Sequence, residues 1–140
     1  MSEEHSLLPR AEFALPGELR DRLVEAILTG SKTATTSLVR SYEREETVLP
    51  VVGQRWVVVD SHERPVAVME TTRVRIVALG EVDDVHVHCE GEGDTTLESW
   101  RAAHEHFWCS DGMRASLGDG FVIDDSTLVV LERFTMVSRL

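Results

Sequence analysis

The stretch Val66-Ala67-Val68-Met69-Glu70-Thr71-Thr72-Arg73-Val74 decides the fold class of this chain. It is rich in β-branched residues and follows a similar run, Trp56-Val57-Val58-Val59, after the turn Ser61–Pro65. Two β-branched runs joined by turn residues predict a β-hairpin. The second run continues through Leu79, a length that requires a bend or a bulge.

Helical and further strand patterns surround this hairpin. Apolar spacing and start and stop signals predict three helices: from Pro16-Gly17 to Gly30, over Leu38–Glu45, and from Asp94 onward, where Thr95 and Glu98 form a capping-box pattern. Apolar runs at Leu128–Leu131 and Phe134–Val137 predict a closing strand. Because the helices and hairpins do not alternate in a βαβ rhythm, we expect an α+β fold with a mostly antiparallel sheet or a small barrel.

Three polar or glycine-bearing segments are predicted as loops: Ser31–Ser37, Asp83–Asp94 and Ser110–Gly120. The first has five hydroxyl side chains in seven residues, which makes it too polar for a core element. In the second, the glycines of Glu90-Gly91-Glu92-Gly93-Asp94 permit a tight turn.

The length of 140 residues is that of a single domain. We assign residues 1–14 to an N-terminal extension and residues 15–140 to the domain. No apolar run approaches the roughly 20 residues of a membrane-spanning helix, and the acidic start Met1–His5 does not resemble a secretory signal. With only two cysteines, a disulfide framework is not expected. These features predict a soluble, cytoplasmic protein that does not bind membranes.

The charge balance limits the partners of the protein. There are 14 basic and 25 acidic side chains, a formal net charge of −11. A long nucleic acid duplex requires a broad basic face, which this composition does not supply. Residues 1–80 hold ten basic and twelve acidic residues, whereas residues 81–140 hold four and thirteen. An anionic ligand is therefore expected at the first half of the chain.

Lys32 is the only lysine of the chain, and Thr35 follows it three residues later in the hydroxyl-rich segment. A desolvated lysine can act as a base toward a hydroxyl nucleophile, and a carboxylate from elsewhere can hold that lysine in place. The alternative is a solvated loop whose hydroxyls bond to backbone groups.

Other side chains suggest weaker hypotheses. His86 and His88 with Cys89 form a possible zinc-ligand pattern, but no Cys-x-x-Cys pair accompanies them, and we predict no metal or other cofactor. The helical spacing of Trp100 and Trp108 favours core packing over base stacking.

Several segments of the chain resemble the ASCH domain family, in the right order over about residues 15–137. The resemblance rests on Leu28-Thr29-Gly30-Ser31-Lys32-Thr33-Ala34-Thr35, Gly53, Met69-Glu70-Thr71-Thr72-Arg73-Val74, Glu90-Gly91-Glu92-Gly93-Asp94, Leu97, Trp100-Arg101 and His104. It implies a PUA-like fold, a small β-barrel flanked by helices. Family members are linked to RNA binding, to ribonuclease activity and, among short bacterial proteins, to amide hydrolysis of N4-acetylcytidine.

The resemblance also implies a catalytic set of lysine, threonine and glutamate. Lys32 and Thr35 match its first two positions, and Glu92 is our choice for the third, with Glu90 as the competing register. This chain is longer than the short hydrolases, and its acidic loop carries glycines.

We therefore expect a cleft that binds a nucleoside or a short RNA and that can support hydrolysis of an N4-acylated cytidine. The expected ligand contacts are Ser31, Thr33, Arg40, Tyr42 and Glu90. The alternatives are a non-catalytic RNA-binding module and a metal-assisted ribonuclease.

Overall fold

The computed structural model describes residues 7–91, 93 and 96–140. Their strands and helices are, in chain order, β1 (Arg10–Ala11), α1 (Glu18–Thr29), β2 (Ala34–Leu38), α2 (Val39–Glu45), β3 (Arg55–Val59), β4 (Pro65–Ala78), α3 (Asp84–Glu90), α4 (Leu97–Trp108), α5 (Asp111–Leu117) and β5 (Leu128–Arg139). None of these helices is long and apolar enough to span a membrane.

The five strands form one mixed sheet in the order β1-β3-β4-β5-β2. All neighbouring pairs are antiparallel except β1 with β3, which is parallel. The α+β class, the hairpin β3–β4 and the mostly antiparallel sheet are confirmed. The predicted barrel is wrong for the described residues, because β1 and β2 form the two edges of the sheet and do not pair with each other. The expected irregularity of the long strand is present as register shifts after Val68 and Thr71.

Each face of the sheet is covered by helices. Leu131 of β5 lies in a core with Trp100 of α4 and Val87 of α3, on what we call the α3 face. Phe134, three residues later on β5, packs with Ile27 of α1, on what we call the α1 face. This division follows from the strand geometry, since residues an odd number of positions apart point to opposite faces.

The N-terminal segment contributes to the α1 face. Arg10 and Ala11 of β1 pair with Val57 and Val58 of β3, and Phe13 is buried in the core. Part of residues 1–14, which the sequence assigns to an extension, is thus integrated in the fold.

All three predicted loops contain regular structure. The segment Ser31–Ser37 holds most of β2, because its backbone pairs with β5 and threonine tolerates a strand well. The segment Asp83–Asp94 holds α3, whose first turn is capped by Asp83, the acceptor of the His86 N–H. The segment Ser110–Gly120 holds α5, which buries Leu117 against the α3 face.

Helix boundaries elsewhere agree with the sequence signals. Gly30 ends α1 with a positive φ of 86°, as its position predicts. Helix α4 begins one residue later than the capping pattern suggests: Thr96 accepts the N–H of Ser99. Thr95, the predicted cap, lies outside the described residues.

Candidate functional site

Lys32 lies at the free edge of the sheet. The carbonyl of Thr33 accepts the N–H of Phe134 on β5, so the next carbonyl, that of Ala34, points away from β5. Lys32 Nζ donates to this carbonyl over 2.8 Å. Although lysine is usually exposed, Lys32 is only 2% exposed. The side chain of Lys32, which precedes β2 in the chain, therefore covers the free edge of this strand.

A carboxylate from α3 faces this buried ammonium. Glu90 Oε1 is 3.4 Å from Lys32 Nζ, and the Glu90 side chain is 1% exposed. Lys32 thus contacts the carboxylate of Glu90, the competing register of the expected set. Glu92, our first choice, lies outside the described residues.

Backbone contacts hold α3 against the segment that carries Lys32. The N–H of Thr33 donates to the Cys89 carbonyl over 2.8 Å. Gly91 ends α3 with a φ of 61°, and a Cβ at this position would lie 1.9 Å from the Ser31 carbonyl oxygen. Glycine is therefore required at position 91 for both its backbone conformation and its close approach.

Glu90 is the centre of a buried hydrogen-bond network. Its Oε2 accepts from the Thr36 hydroxyl and, over 2.9 Å, from Trp100 Nε1. His86 Nε2 lies 3.0 Å from the same oxygen, while His104 Nε2 lies 3.3 Å from Oε1. Such a set of partners compensates the cost of removing a carboxylate from water. We call Lys32, Thr36, His86, Glu90, Trp100 and His104 the Glu90 network.

Thr35 does not belong to the Glu90 network. Thr36 is paired with Leu131 and points to the α3 face, so Thr35 points to the α1 face. There it is paired directly with Glu132 of β5. The lysine and glutamate of the expected catalytic set are in contact, whereas the threonine lies on the other side of the same strand.

Glu132 is a buried carboxyl that the sequence hypotheses overlooked. It is 5% exposed, and its Oε2 accepts from the Thr71 hydroxyl over 2.6 Å. Burial raises the pKa of the Glu132 carboxyl, while the Thr71 hydrogen bond acts in the opposite direction. An acidic residue within the apolar run Leu128–Phe134 was the signal in the sequence that pointed to it.

The remaining candidates on α2 have defined partners. The Tyr42 hydroxyl donates to Ser37 Oγ over 3.2 Å, and burial raises the pKa of the Tyr42 phenol. Arg40 donates to the Leu117 carbonyl and lies 5.6 Å from the centre of the Phe121 ring. Tyr42 thus contacts Ser37 of β2, whereas Arg40 is directed toward α5.

The hydroxyls beside Lys32 bond mainly to the backbone. Ser31 Oγ donates to the Ala26 carbonyl, and Thr33 Oγ1 donates to the Cys89 carbonyl. A pocket of about 240 Å³ opens next to them between the end of α1 and β5, lined in part by Gly30, Lys32 and Thr33. Among the described residues, no group of three or more histidine, cysteine or acidic side chains is arranged to hold a metal ion.

Comparisons with known proteins agree with this fold. The family model of the ASCH domain matches residues 10–138. The structure is similar to that of an ASCH domain from Lactobacillus crispatus JV V101, with a TM-score of 0.81 and 28% identity over 96% of this chain and 82% of that one.

A protein from Enterococcus faecalis V583 is also similar, with a TM-score of 0.74 and 30% identity over 84% of this chain and 68% of that one. No curated protein matches the sequence. The match to the family model extends over nearly the whole chain and includes Lys32, Thr35, Glu90 and Glu132. The chain therefore belongs to the ASCH domain family.

Proposed function

We propose that this protein binds a nucleoside or a short RNA end beside β2 and hydrolyses the amide of an N4-acylated cytidine there. The observation that carries this proposal is the buried pair of Lys32 and Glu90 at the edge of β2. This pair fixes the edge of β2, the strand that presents Thr35 to the opposite face, and Lys32 also lines a small pocket. The ASCH family is a PUA-like fold family for which RNA binding has been suggested.

The proposed reaction divides its roles among three residues. The Thr35 oxygen, on the α1 face, forms a bond to the acyl carbon. The bond from that carbon to N4 breaks, and the proton of the Thr35 hydroxyl passes to N4. Water then cleaves the acyl-threonine ester, which releases the carboxylic acid and restores the hydroxyl. Lys32 and Glu90 hold β2 from the α3 face and so position Thr35.

The charge of the protein supports a small ligand. A net charge of −11 disfavours the broad phosphate contacts of a long nucleic acid. A nucleoside or a single RNA end requires few such contacts. Because Thr35 and Ser37 lie on the α1 face with Tyr42 beside them, hydroxyl groups are available there for a sugar or a base.

The test is incubation with N4-acetylcytidine and detection of cytidine and acetate by mass. We expect turnover by the wild type and a loss of roughly 100-fold or more in Thr35→Val, because this variant lacks the nucleophile. Thr72→Val is the matched control, since Thr72 is exposed on β4, and it should retain full activity.

Other results would contradict the hydrolase proposal in distinct ways. Nucleoside binding without any cytidine product would indicate a non-catalytic binding module. Cleavage of a short RNA only when a divalent cation is added would indicate the ribonuclease alternative. Equal turnover by the wild type and Thr35→Val would exclude Thr35 as the nucleophile.

A further inference from the structure

Glu132 carries its carboxyl in a buried, largely apolar part of β5, where removal of a carboxylate from water is unfavourable. Its neighbours Val129, Val130 and Leu131 are buried and apolar, and so is Phe134. On the α1 face, β5 alternates Val130, Glu132 and Phe134. A buried carboxyl requires hydrogen bonds or a cation to compensate its lost hydration.

The described residues supply only part of that compensation. Trp56 Nε1 can only donate, and it donates to the Thr71 hydroxyl oxygen over 3.0 Å. The Thr71 proton is therefore directed to Glu132 Oε2. The other oxygen, Oε1, has no hydrogen bond to any residue in the described part of the chain, and no lysine or arginine there pairs with it.

Glu132 is paired across the strands with the residue whose hydroxyl the proposed function uses. Thr35 and Glu132 are directly opposite each other on neighbouring antiparallel strands, where Cβ atoms are about 5 Å apart. The Thr35 hydroxyl likewise has no hydrogen-bond partner within residues 7–91, 93 and 96–140. Ser37, two positions further along β2, lies on the same face, and its hydroxyl oxygen accepts a hydrogen bond from the Tyr42 hydroxyl. An acceptor and a nucleophile therefore face the same side of the sheet together.

We propose that Glu132 Oε1 accepts a hydrogen bond from the N4–H of the cytosine base and so positions the amide for Thr35. This inference rests on the proposed function, because attack by Thr35 on the N4-acyl carbon places N4 one bond away from the reacting atom. A carboxylate is a suitable acceptor for the exocyclic amine of cytosine. The ligand class is thus an amino-bearing pyrimidine nucleoside whose N4 retains a hydrogen.

The experiment compares two nucleosides that cannot be hydrolysed, cytidine and N4,N4-dimethylcytidine, by calorimetric titration. The wild type should bind cytidine about tenfold to a hundredfold more tightly, the effect of one hydrogen bond to a charged group. In Glu132→Ala this preference should disappear through weaker binding of cytidine. Glu132→Gln retains the shape of the side chain and should reduce the preference severalfold. Glu70→Gln, on β4 and paired with Arg55, should bind like the wild type.

Thermal melts establish that each variant is folded. If Glu132→Ala does not fold, the preference for cytidine measured in Glu132→Gln tests the inference. An unchanged preference in the folded Glu132 variants would overturn the inference, and so would a wild type that binds neither nucleoside. Hydrolysis of N4-acetylcytidine is measured separately. If hydrolysis is absent but the preference depends on Glu132, only the hydrolase proposal fails; if hydrolysis occurs and the preference is independent of Glu132, only this inference fails.

Discussion

Strand β2 presents two neighbouring threonines to very different environments. Thr36 points to the α3 face, where Glu90 contacts Lys32, Trp100 and His86 as well. Thr35 points to the α1 face, where the side chain of its cross-strand neighbour Glu132 has one hydrogen bond within the described part of the chain, from Thr71. One carboxylate is surrounded by donors, whereas the other retains an oxygen without a partner among the described residues.

This difference separates stability from binding. Donors and an ammonium compensate the buried charge of Glu90, so removal of the carboxylate leaves several polar groups without their partner. Glu132 and Thr35 contribute less to such a network and are available to an incoming ligand. We therefore expect substitutions on the α3 face to affect folding, and those on the α1 face to affect ligand binding.

The largest expected effect follows from the replacement Glu90→Ala. Removal of one partner of a buried ion pair typically costs about 3–5 kcal/mol in the free energy of unfolding, because the other charge remains buried. Urea denaturation of Glu90→Ala should show a loss of this size. The matched comparison is Thr35→Val on the opposite side of β2, which should change the same free energy by no more than about 0.5 kcal/mol.

Similar losses in the two variants would contradict the proposed separation of the faces. A loss in Thr35→Val alone would reverse it and would identify the α1 face as the structural one. A near-normal Glu90→Ala would mean that the Glu90 network contributes little net stability.

A smaller effect is expected at the start of α3, the helix that delivers Glu90. Asp83 Oδ1 accepts the His86 N–H, a hydrogen bond that also lowers the pKa of the Asp83 carboxyl. Loss of such a cap in Asp83→Ala should cost about 1 kcal/mol of unfolding free energy. Asp83→Asn keeps a side-chain oxygen and should retain most of the stability.

The pH dependence of the Asp83 contribution has a defined sign. Because the folded-state pKa is lowered, the stabilisation is present above the ordinary pKa of aspartate and is lost as the pH falls through the lowered value. The difference between wild type and Asp83→Ala in urea denaturation should therefore decrease on acidification. A difference that grows in acid would exclude the ionised cap.

The sequence predicted the elements whose signals are local. The hairpin β3–β4 follows from β-branched runs around a turn, and α1 from an apolar stripe that ends at Gly30. The sequence missed α3, because the acidic and glycine-rich composition around it resembles a loop. Its helix depends on the burial of His86 and Val87 beneath the sheet, which is a tertiary effect.

The candidate site depended on contacts between distant residues. Lys32 and Glu90 are 58 residues apart, and nothing in the local sequence indicates that they are in contact. The directions of Thr35 and Thr36 depend on their membership in a strand, which the loop prediction concealed. Glu132 becomes a candidate ligand-binding residue only through the strand register, which places it opposite Thr35.

The smallest expected effect is a pH-dependent change in stability at Glu132, the less compensated of the two buried carboxyls. Burial raises the pKa of the Glu132 carboxyl above its ordinary value, so the contribution of this group to stability is complete below the ordinary pKa and is lost as the pH rises through the raised one. Glutamine does not titrate and keeps the shape of the side chain. The melting temperature of Glu132→Gln relative to the wild type should therefore increase between about pH 4 and about pH 8. In the control Glu70→Gln, which alters a carboxylate paired with Arg55 near the surface, no such increase is expected. A relative melting temperature of Glu132→Gln that stays constant or decreases with pH would mean that Glu132 is as well compensated as Glu90, and the contrast between the two faces would not hold.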